Sequence, residues 1–124
     1  MIFGVGIDMI EVERVEQKLS KPTGFREKIF SASEIEFCES QAHKGENYAA
    51  RFAAKEAFLK ATGQGLQLGF ELAFIEVVSD GVGKPSIQLT GSFAALAEKN
   101  KWNKIHLSLT HLKSVACAVV IIEQ

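Results

Sequence analysis

Two acidic residues that lie far apart in the chain, Asp8 and Glu56, are surrounded by apolar residues. Asp8 follows Gly-Ile in a β-rich segment, and Glu56 stands in the motif Arg-Phe-Ala-Ala-Lys-Glu-Ala-Phe-Leu-Lys-Ala. A carboxylate in an apolar environment is costly unless a cation or another partner compensates it. If the fold brings the two together, their oxygens form a hard ligand set that suits Mg²⁺ and a phosphate-bearing substrate.

Each acid also has a simpler explanation. An acid after a strand often caps the helix that follows, so Asp8 is equally suited to accept a backbone N–H near Glu11. Glu56 and Lys60 are spaced i, i+4, which is typical of an ion pair worth about 0.2–0.5 kcal/mol on a helix surface. The two motifs alone leave a metal site, a helix cap and an ion pair open.

A third polar pattern lies near the end of the chain. In the segment 105–111, alternation places His106, Ser108 and Thr110 on one face of a predicted strand, opposite an apolar face. Such a face lines a phosphate or nucleotide pocket, or it faces water. A serine hydrolase is disfavoured, because the chain has no Gly-x-Ser-x-Gly nucleophile elbow at this serine.

Hydrophobic periodicity and the positions of Gly and Pro predict the elements that must hold these side chains. Ser31 and Glu34 have the spacing of a capping box, and Ser92 is the predicted N-cap of a later helix. We expect loops over residues 43–47 and turns over 20–24 and 79–85. The expected strands are 2–8, 72–78, 86–90, 105–110 and 115–122, and the expected helices are 11–19, 31–41, 48–62 and 92–100.

This order of elements favours an α+β fold with a mainly antiparallel sheet over a doubly wound parallel sheet. The helix over 48–62 is apolar almost all round, which predicts that it is buried. With 124 residues, 47% hydrophobic and 23% charged, residues 1–124 have the size and composition of one domain. Because so small a domain has much surface relative to its core, we expect part of its apolar surface to be buried between subunits.

Charge and composition argue against several classes of protein. A formal net charge of −1 provides no basic footprint for nucleic acid. The longest apolar run, residues 115–122, is far shorter than the roughly 20 residues of a membrane-spanning helix. The N-terminal residues lack the pattern of a secretory signal peptide. Cys38 and Cys117 have no metal-ligand spacing, so we expect a reduced, cytoplasmic protein that does not bind membranes.

Taken together, these motifs resemble the holo-acyl-carrier-protein synthase family of 4′-phosphopantetheinyl transferases. The resemblance spans residues 4–122 and is specific, because the order, spacing and total length of the motifs all agree. It rests on Gly-x-Asp followed by Arg14, the Glu56 motif followed by Gly63 and Gly65, then Gly83-Lys84-Pro85, and finally His-x-Ser-x-Thr-His from His106.

The resemblance implies an activity. Enzymes of this family move the 4′-phosphopantetheine group of coenzyme A onto a serine of apo-acyl carrier protein, in support of fatty acid biosynthesis. The reaction releases adenosine 3′,5′-bisphosphate and requires Mg²⁺. Similar members of the family are small cytoplasmic homotrimers with active sites between their subunits.

The resemblance also implies roles for individual residues. Asp8 and Glu56 match the metal-binding acids, and Lys60 matches the lysine that stabilises the departing phosphate. The base that deprotonates the serine is either a water on the metal or Glu56 or Asp8 acting through it, with His106 a weaker candidate. The residues that match the coenzyme A site are Arg51, Lys55, Gly83, Lys84, Pro85, His106, Ser108 and Thr110.

A basic segment is the predicted docking surface for the acidic carrier protein. Between residues 14 and 28, five basic residues stand against two acidic ones, a net charge of +3. Arg14, Lys18 and Lys21 recur at i, i+4 and i+7, which puts them on one helix face or at its exit. A solvated helix face explains the same pattern.

Two other functions remain open from the sequence. One is a module that binds a nucleotide or a carrier protein without catalysis, and the other is a structural oligomerisation domain. The presence of Asp8, Glu56 and Lys60 argues against the first. A purely structural domain needs none of the polar residues of the proposed site.

Overall fold

A computed structural model of this chain describes residues 1–64, 71–79 and 83–124. Gly65 and the turn residues Asp80, Gly81 and Val82 lie outside the described residues. The elements follow in the order β1 (Ile2–Glu11), α1 (Val12–Ser20), α2 (Phe25–Ile29), α3 (Ala32–Glu39), α4 (Lys44–Thr62), β2 (Ile75–Ser79), β3 (Pro85–Leu89), α5 (Gly91–Asn100), β4 (Lys104–His111) and β5 (Val115–Glu123).

The main sheet has three antiparallel strands in the order β1-β5-β4. Val119 at the centre of β5 is paired with Ile7 of β1 on one side and with Ser108 of β4 on the other. Strands β2 and β3 form a separate antiparallel hairpin. The described strand pairs are therefore all antiparallel, and the predicted α+β class is confirmed.

Helix α4 covers one face of the main sheet and forms the centre of the core. Its residues Ala53, Ala57 and Phe58 have no exposed surface, which confirms the predicted burial of this helix. Small alanine side chains let the helix approach the strands, while the Phe58 ring packs edge-on against Phe93 of α5 and against Trp102. Because α4 also contacts α1, α3 and β2, few of its side chains reach solvent.

Strand β1 contacts the backbone of α4 directly at two glycines. A Cβ atom at Gly4 would lie 1.9 Å from the carbonyl oxygen of Ala61, and one at Gly6 would lie 1.9 Å from that of Ala57. Only glycine permits so close an approach of two backbones. The contact fixes β1 over the last three turns of α4, the part of the helix that carries Glu56 and Lys60.

The predicted end of the first strand is wrong in a way that matters for the site. Strand β1 continues to Glu11, so Asp8 lies inside the strand. The N-cap of α1 is Glu11, and no side chain caps this helix, so the interpretation of Asp8 as a helix cap is wrong. Continued pairing of β1 with β5, as far as Glu11 opposite Val115, explains the longer strand.

Helix α4 begins at Lys44, and the predicted loop over residues 43–47 is instead its first turn. Gly45 and Asn47 have low helix propensity, which is why the sequence pattern favours a loop. Local contacts stabilise the helix here, because the Asn47 amide donates to the His43 carbonyl and Glu46 lies in the first turn, where a negative charge is favourable.

Two further differences concern residues before and after the hairpin. A 3₁₀ turn covers residues 71–74, where the sequence predicts the start of a strand. Helix α5 begins at Gly91 after Thr90, and the predicted cap Ser92 instead donates a hydrogen bond to Glu71. The predicted capping box of α3 is confirmed, since Ser31 and Glu34 exchange both hydrogen bonds.

Within the described ranges, none of the helices is both long and apolar enough to cross a membrane. Cys38 is buried and Cys117 is half-buried, and both are free thiols. Burial raises the pKa of the Cys38 thiol to about 11.

We predict that Gly6→Ala lowers the free energy of unfolding by about 1–3 kcal/mol, the usual range for overpacking. The reason is that the new Cβ would meet backbone atoms of α4 that cannot move independently. Denaturant unfolding measures the effect. Gly45→Ala is the matched control, since its Cβ would meet only the flexible side chain of Glu16. Equal stability of Gly6→Ala and the wild type would contradict the close contact of β1 with α4.

Candidate active site

The structure brings Asp8 of β1 and Glu56 of α4 into one electrostatic cluster. Burial and then the negative charge of Asp8 raise the pKa of Glu56, while Lys60 and Lys18 oppose the shift. Both acids lie on the α4 side of the sheet, and both are partly buried. The contact of Gly6 with Ala57 explains why two residues so distant in sequence meet here.

Lys60 completes this cluster. Its ammonium donates to Asp8 Oδ1 at 3.0 Å and to the carbonyl oxygen of Ile7 at 3.1 Å. The Lys60 side chain is 56% exposed, so its ammonium remains accessible to a ligand. Along residues 1–64, the ion pair that Lys60 forms is with Asp8, and the predicted pair with Glu56 is not formed.

The donor chemistry of this cluster fits a hard divalent cation. The negative charge of Asp8 contributes to the raised pKa of Glu56, and a cation between the two carboxylates would relieve that repulsion. Within residues 1–64, 71–79 and 83–124, no group of three or more His, Cys, Asp or Glu side chains forms a complete metal cage. A pair of carboxylates suits Mg²⁺, which commonly takes only one or two carboxylates from the protein and its remaining oxygens from water and phosphate.

Arg51 lies on another side of α4, next to a second cluster of predicted site residues. Its guanidinium stacks on Phe37, with Cζ 4.2 Å from the ring centroid. Arg51 is buried, and its Nε has no hydrogen-bond partner. Because an unpaired buried donor is costly, this N–H is available to an acceptor that a ligand brings.

A cavity of about 250 Å³ joins Arg51 to the hairpin. Gly83 and Pro85 line it from the start of β3, and Leu109 and His111 line it from β4. Lys84, between Gly83 and Pro85, is exposed. The structure thus brings Arg51 together with the Gly83-Lys84-Pro85 segment, although they are more than 30 residues apart in the sequence.

Lys55 is separated from these predicted partners. It has no exposed surface, and its ammonium donates to Glu34 Oε1 at 2.7 Å and to the carbonyls of Leu72 at 3.0 Å and Ile75 at 2.6 Å. Burial lowers the pKa of Lys55, and the charge of Glu34 opposes this shift. Since all three ammonium protons are used inside the protein, the position of Lys55 does not support the predicted contact with coenzyme A.

The polar face of β4 is exposed, but it lies on the opposite side of the sheet from Asp8. His106, Ser108 and Thr110 are exposed at alternate positions of β4. They share the outer face with Val119, which pairs with both Ser108 and Ile7. Within one chain, the structure therefore does not bring this face together with the acidic pair.

The same outer face carries a large apolar surface. Val5, Ile7 and Met9 of β1 are 58%, 61% and 68% exposed. In the sheet they lie beside half-buried Cys117, Val119 and Ile121 of β5. Contiguous apolar surface of this kind is typical of an interface rather than of a solvated face.

The predicted docking residues lie on or just after α1. Arg14, Lys18 and Lys21 are all exposed. The charge of Lys18 opposes the rise in the pKa of Glu56, and its ammonium is 5.7 Å from the centroid of the Phe52 ring on α4. Of the three predicted docking residues, Lys18 is therefore the one that the structure links to Glu56.

Sequence reasoning assigned no site role to several polar residues that contact predicted site residues or line the cavity, among them Glu34, Glu123 and His111. Glu34 is the partner of Lys55, and its capping-box pattern conceals this role. Glu123 bonds His106 at 2.5 Å, and this bond lowers the pKa of Glu123. His111 lines the cavity of Arg51 and bonds Glu46. Only the His-x-Ser-x-Thr-His motif pointed to one of them, His111.

Comparison with known proteins is consistent along the whole chain. A model of the 4′-phosphopantetheinyl transferase superfamily matches residues 4–120. A holo-[acyl-carrier-protein] synthase of Syntrophus aciditrophicus is 44% identical over 124 residues, which cover 99% of this chain and 97% of the relative.

Solved structures agree with this match. The crystal structure of holo-[acyl-carrier-protein] synthase from Neisseria meningitidis superposes with a TM-score of 0.90 at 26% identity, over 100% of both chains. The synthase from Bacillus anthracis in complex with CoA (3′,5′-ADP) has a TM-score of 0.80 at 35% identity, over 98% of this chain and 96% of its own. This chain belongs to the 4′-phosphopantetheinyl transferase superfamily.

Proposed function

We propose that this chain is the catalytic domain, over residues 1–124, of a holo-acyl-carrier-protein synthase. It transfers the 4′-phosphopantetheine group of coenzyme A to a serine of apo-acyl carrier protein. The observation that carries the proposal is the cluster of Asp8, Glu56 and Lys60, at the positions of the family motif, in a chain 44% identical to such a synthase over almost its whole length.

Asp8 and Glu56 are the residues that would hold Mg²⁺. When bound, this ion neutralises charge on the pyrophosphate of coenzyme A and orients it. The residues of the chain then need to manage the leaving group and the serine proton. No covalent intermediate with the protein is required, because positioning and electrostatic stabilisation carry most phosphoryl transfers.

In the reaction, the serine oxygen of the carrier attacks the β-phosphorus of coenzyme A. The bond from this phosphorus to the bridging oxygen breaks, and adenosine 3′,5′-bisphosphate leaves. Lys60 is placed to exchange Asp8 for the leaving phosphate, since its ammonium is exposed. Glu56, which lies beside Asp8 in the proposed site, is the proposed acceptor of the serine proton through an intervening water.

The cavity beside Arg51 is the proposed site for the adenosine end of coenzyme A. The unpaired Nε of Arg51 and its positive charge suit the 3′-phosphate, while the backbone around Gly83 and Pro85 suits the approach of the flat adenine. Lys84 adds a second positive charge at the rim of this cavity.

A homotrimer is proposed as the functional assembly. The apolar outer face of β1 and β5 supports association, and the exposure of His106, Ser108 and Thr110 on that outer face supports a coenzyme A site that a neighbouring subunit completes. The chain then supplies its acidic pair from one side of the sheet and its polar β4 face to the next subunit from the other side.

The proposed carrier-docking surface consists of Arg14, Lys18 and Lys21. All three are exposed, and Lys18 acts on Glu56, which supports a role of this basic surface in attracting an acidic carrier protein. We place this reaction in the cytoplasm and in fatty acid biosynthesis.

Asp8→Asn and Glu56→Gln are each expected to lower the rate of transfer at least about 100-fold, comparable to the loss of an electrostatic catalytic group. The measurement is the mass of apo-acyl carrier protein after incubation with coenzyme A and Mg²⁺. Glu98→Gln, which alters an exposed acid of α5, is the control and should retain the rate. Full activity of both site variants would contradict the metal assignment, and an unmodified carrier with the wild type would favour a non-catalytic binding module.

Glu56→Gln is also expected to raise the melting temperature of the metal-free protein at neutral pH. A raised pKa means that folding favours protonated Glu56, so the ionised form costs folding free energy above that pKa. Thermal unfolding in EDTA measures this difference. Adding Mg²⁺ should raise the melting temperature of the wild type and leave that of Glu56→Gln unchanged. If Mg²⁺ stabilises Glu56→Gln but not the wild type, Glu56 is excluded as a ligand.

Ile7→Asp is expected to dissociate the assembly, because it places a charge at the centre of the apolar outer face. Light scattering coupled to size-exclusion chromatography should show a monomer with a native circular dichroism spectrum and strongly reduced transfer. Leu112→Asp is the matched control, since Leu112 is 72% exposed but lies in the turn between β4 and β5. A trimeric Ile7→Asp variant would exclude this face as the interface.

A further inference from the structure

Lys55 and Glu34 form an ion pair that is sealed inside the protein. Their side chains have 0% exposed surface, and Nζ lies 2.7 Å from Oε1. Because desolvation offsets much of the attraction in such a pair, a buried ion pair is weak evidence of added stability. The role of this ion pair follows instead from the other atoms to which its charged groups are hydrogen-bonded.

Those other atoms belong to the backbone of residues 72–77. Lys55 holds the carbonyls of Leu72 and Ile75, and Glu34 Oε2 accepts the backbone N–H of Val77 at 2.9 Å. Three buried backbone groups in β2 and just before it are therefore paired with side chains of α3 and α4 rather than with a neighbouring strand.

A second polar link holds the same strand from its other side. Glu76 Oε2 accepts hydrogen bonds from Ser31 Oγ at 2.5 Å and from Ser33 Oγ at 2.7 Å, both at the start of α3. Strand β2 is thus attached to α3 through its backbone by Glu34 and through its side chain by the two serines.

These links matter because β2 and β3 form their own two-stranded sheet. Ser79 at the end of β2 pairs with Pro85 at the start of β3, so the placement of β2 sets the position of the Gly83-Lys84-Pro85 segment. That segment lines the cavity opposite Arg51. Lys55 and Arg51 lie one turn apart on α4, so one helix holds both the hairpin and the buried guanidinium.

We infer that Glu34 and Lys55 are positioning residues, which fix the β2–β3 hairpin so that Gly83-Lys84-Pro85 faces Arg51 and forms the coenzyme A cavity. This inference rests on the function proposed above. In this role, Lys55 does not touch the substrate, and its motif position reflects the need to hold backbone carbonyls of residues 72–75.

The test replaces the pair together, as Glu34→Leu with Lys55→Met, because removing one charge alone would leave the other buried and unpaired. We expect the KM for coenzyme A to rise at least tenfold, while kcat and the KM for the carrier protein stay within twofold of the wild type. Amide hydrogen exchange of residues 75–79 and 85–89 should become faster, with the β1-β5-β4 sheet remaining protected.

Two further variants make the result decisive. Glu39→Gln is the matched control, because it breaks contacts of α3 with Lys44 and Tyr48 of α4 but leaves residues 72–77 untouched. Glu76→Val removes the second link from the half-buried face of β2, and we expect a smaller rise in the KM for coenzyme A. If the double variant does not fold, Glu76→Val is used to test the inference instead.

An unchanged KM for coenzyme A in the folded variants would overturn the inference. A parallel rise in the KM for the carrier protein would also overturn it, since general destabilisation would then be the cause. If the wild type transfers no phosphopantetheine, the proposed function fails. Hydrogen exchange alone then tests whether Glu34 and Lys55 hold the hairpin. Selective loss of protection in the hairpin then supports the holding role of the pair, and unchanged protection refutes it.

Discussion

The direct contact between the backbones of β1 and α4 is the constraint on which the site depends. Gly4 and Gly6 let the strand lie against the carbonyls of Ala61 and Ala57 without an intervening side chain. Two residues further along β1, Asp8 reaches the same helix at the position of Glu56 and Lys60. A wider spacing between strand and helix, as in ordinary packing through large side chains, would separate these charges by several ångströms.

Lys55 and Lys60, the two lysines of the family motif, have different surroundings although they lie on the same helix. Lys60 lies next to the sheet edge and remains exposed, so it can exchange partners. Lys55 points toward α3 and β2, where Glu34 and two backbone carbonyls surround it. Five residues on an α-helix correspond to a rotation of about 140°, which is enough to place the Lys60 ammonium at the surface and the Lys55 ammonium inside the protein.

Much of the fold could be predicted from the sequence, because strand alternation, the alanine-rich helix and the capping box of α3 act locally. The errors occurred where tertiary contacts override local preference. Gly45 and Asn47 disfavour a helix, yet they form the first turn of α4. Asp8 has the pattern of a cap, yet pairing with β5 extends the strand beyond it.

The candidate site was predictable only in part, for the same reason. Motif positions identified Asp8, Glu56 and Lys60, which the structure brings together. They did not show that Lys55 is enclosed by other residues whereas Arg51 lines the cavity, since this difference depends on contacts from α3 and the hairpin. Nor did they indicate that the polar face of β4 lies across the sheet from Asp8, because strand alternation alone does not show which face a helix covers.

Most residues of strand β1 either contact α4 or form part of the outer apolar face. Its inner positions hold Gly4, Gly6 and Asp8, and its alternate positions present Val5, Ile7 and Met9 on the outer apolar face. A shift of register by one residue would exchange these two sets and destroy both surfaces at once. We expect the mutational tolerance of this strand to be narrow, since its inner positions contact α4 and its alternate positions form the outer apolar face.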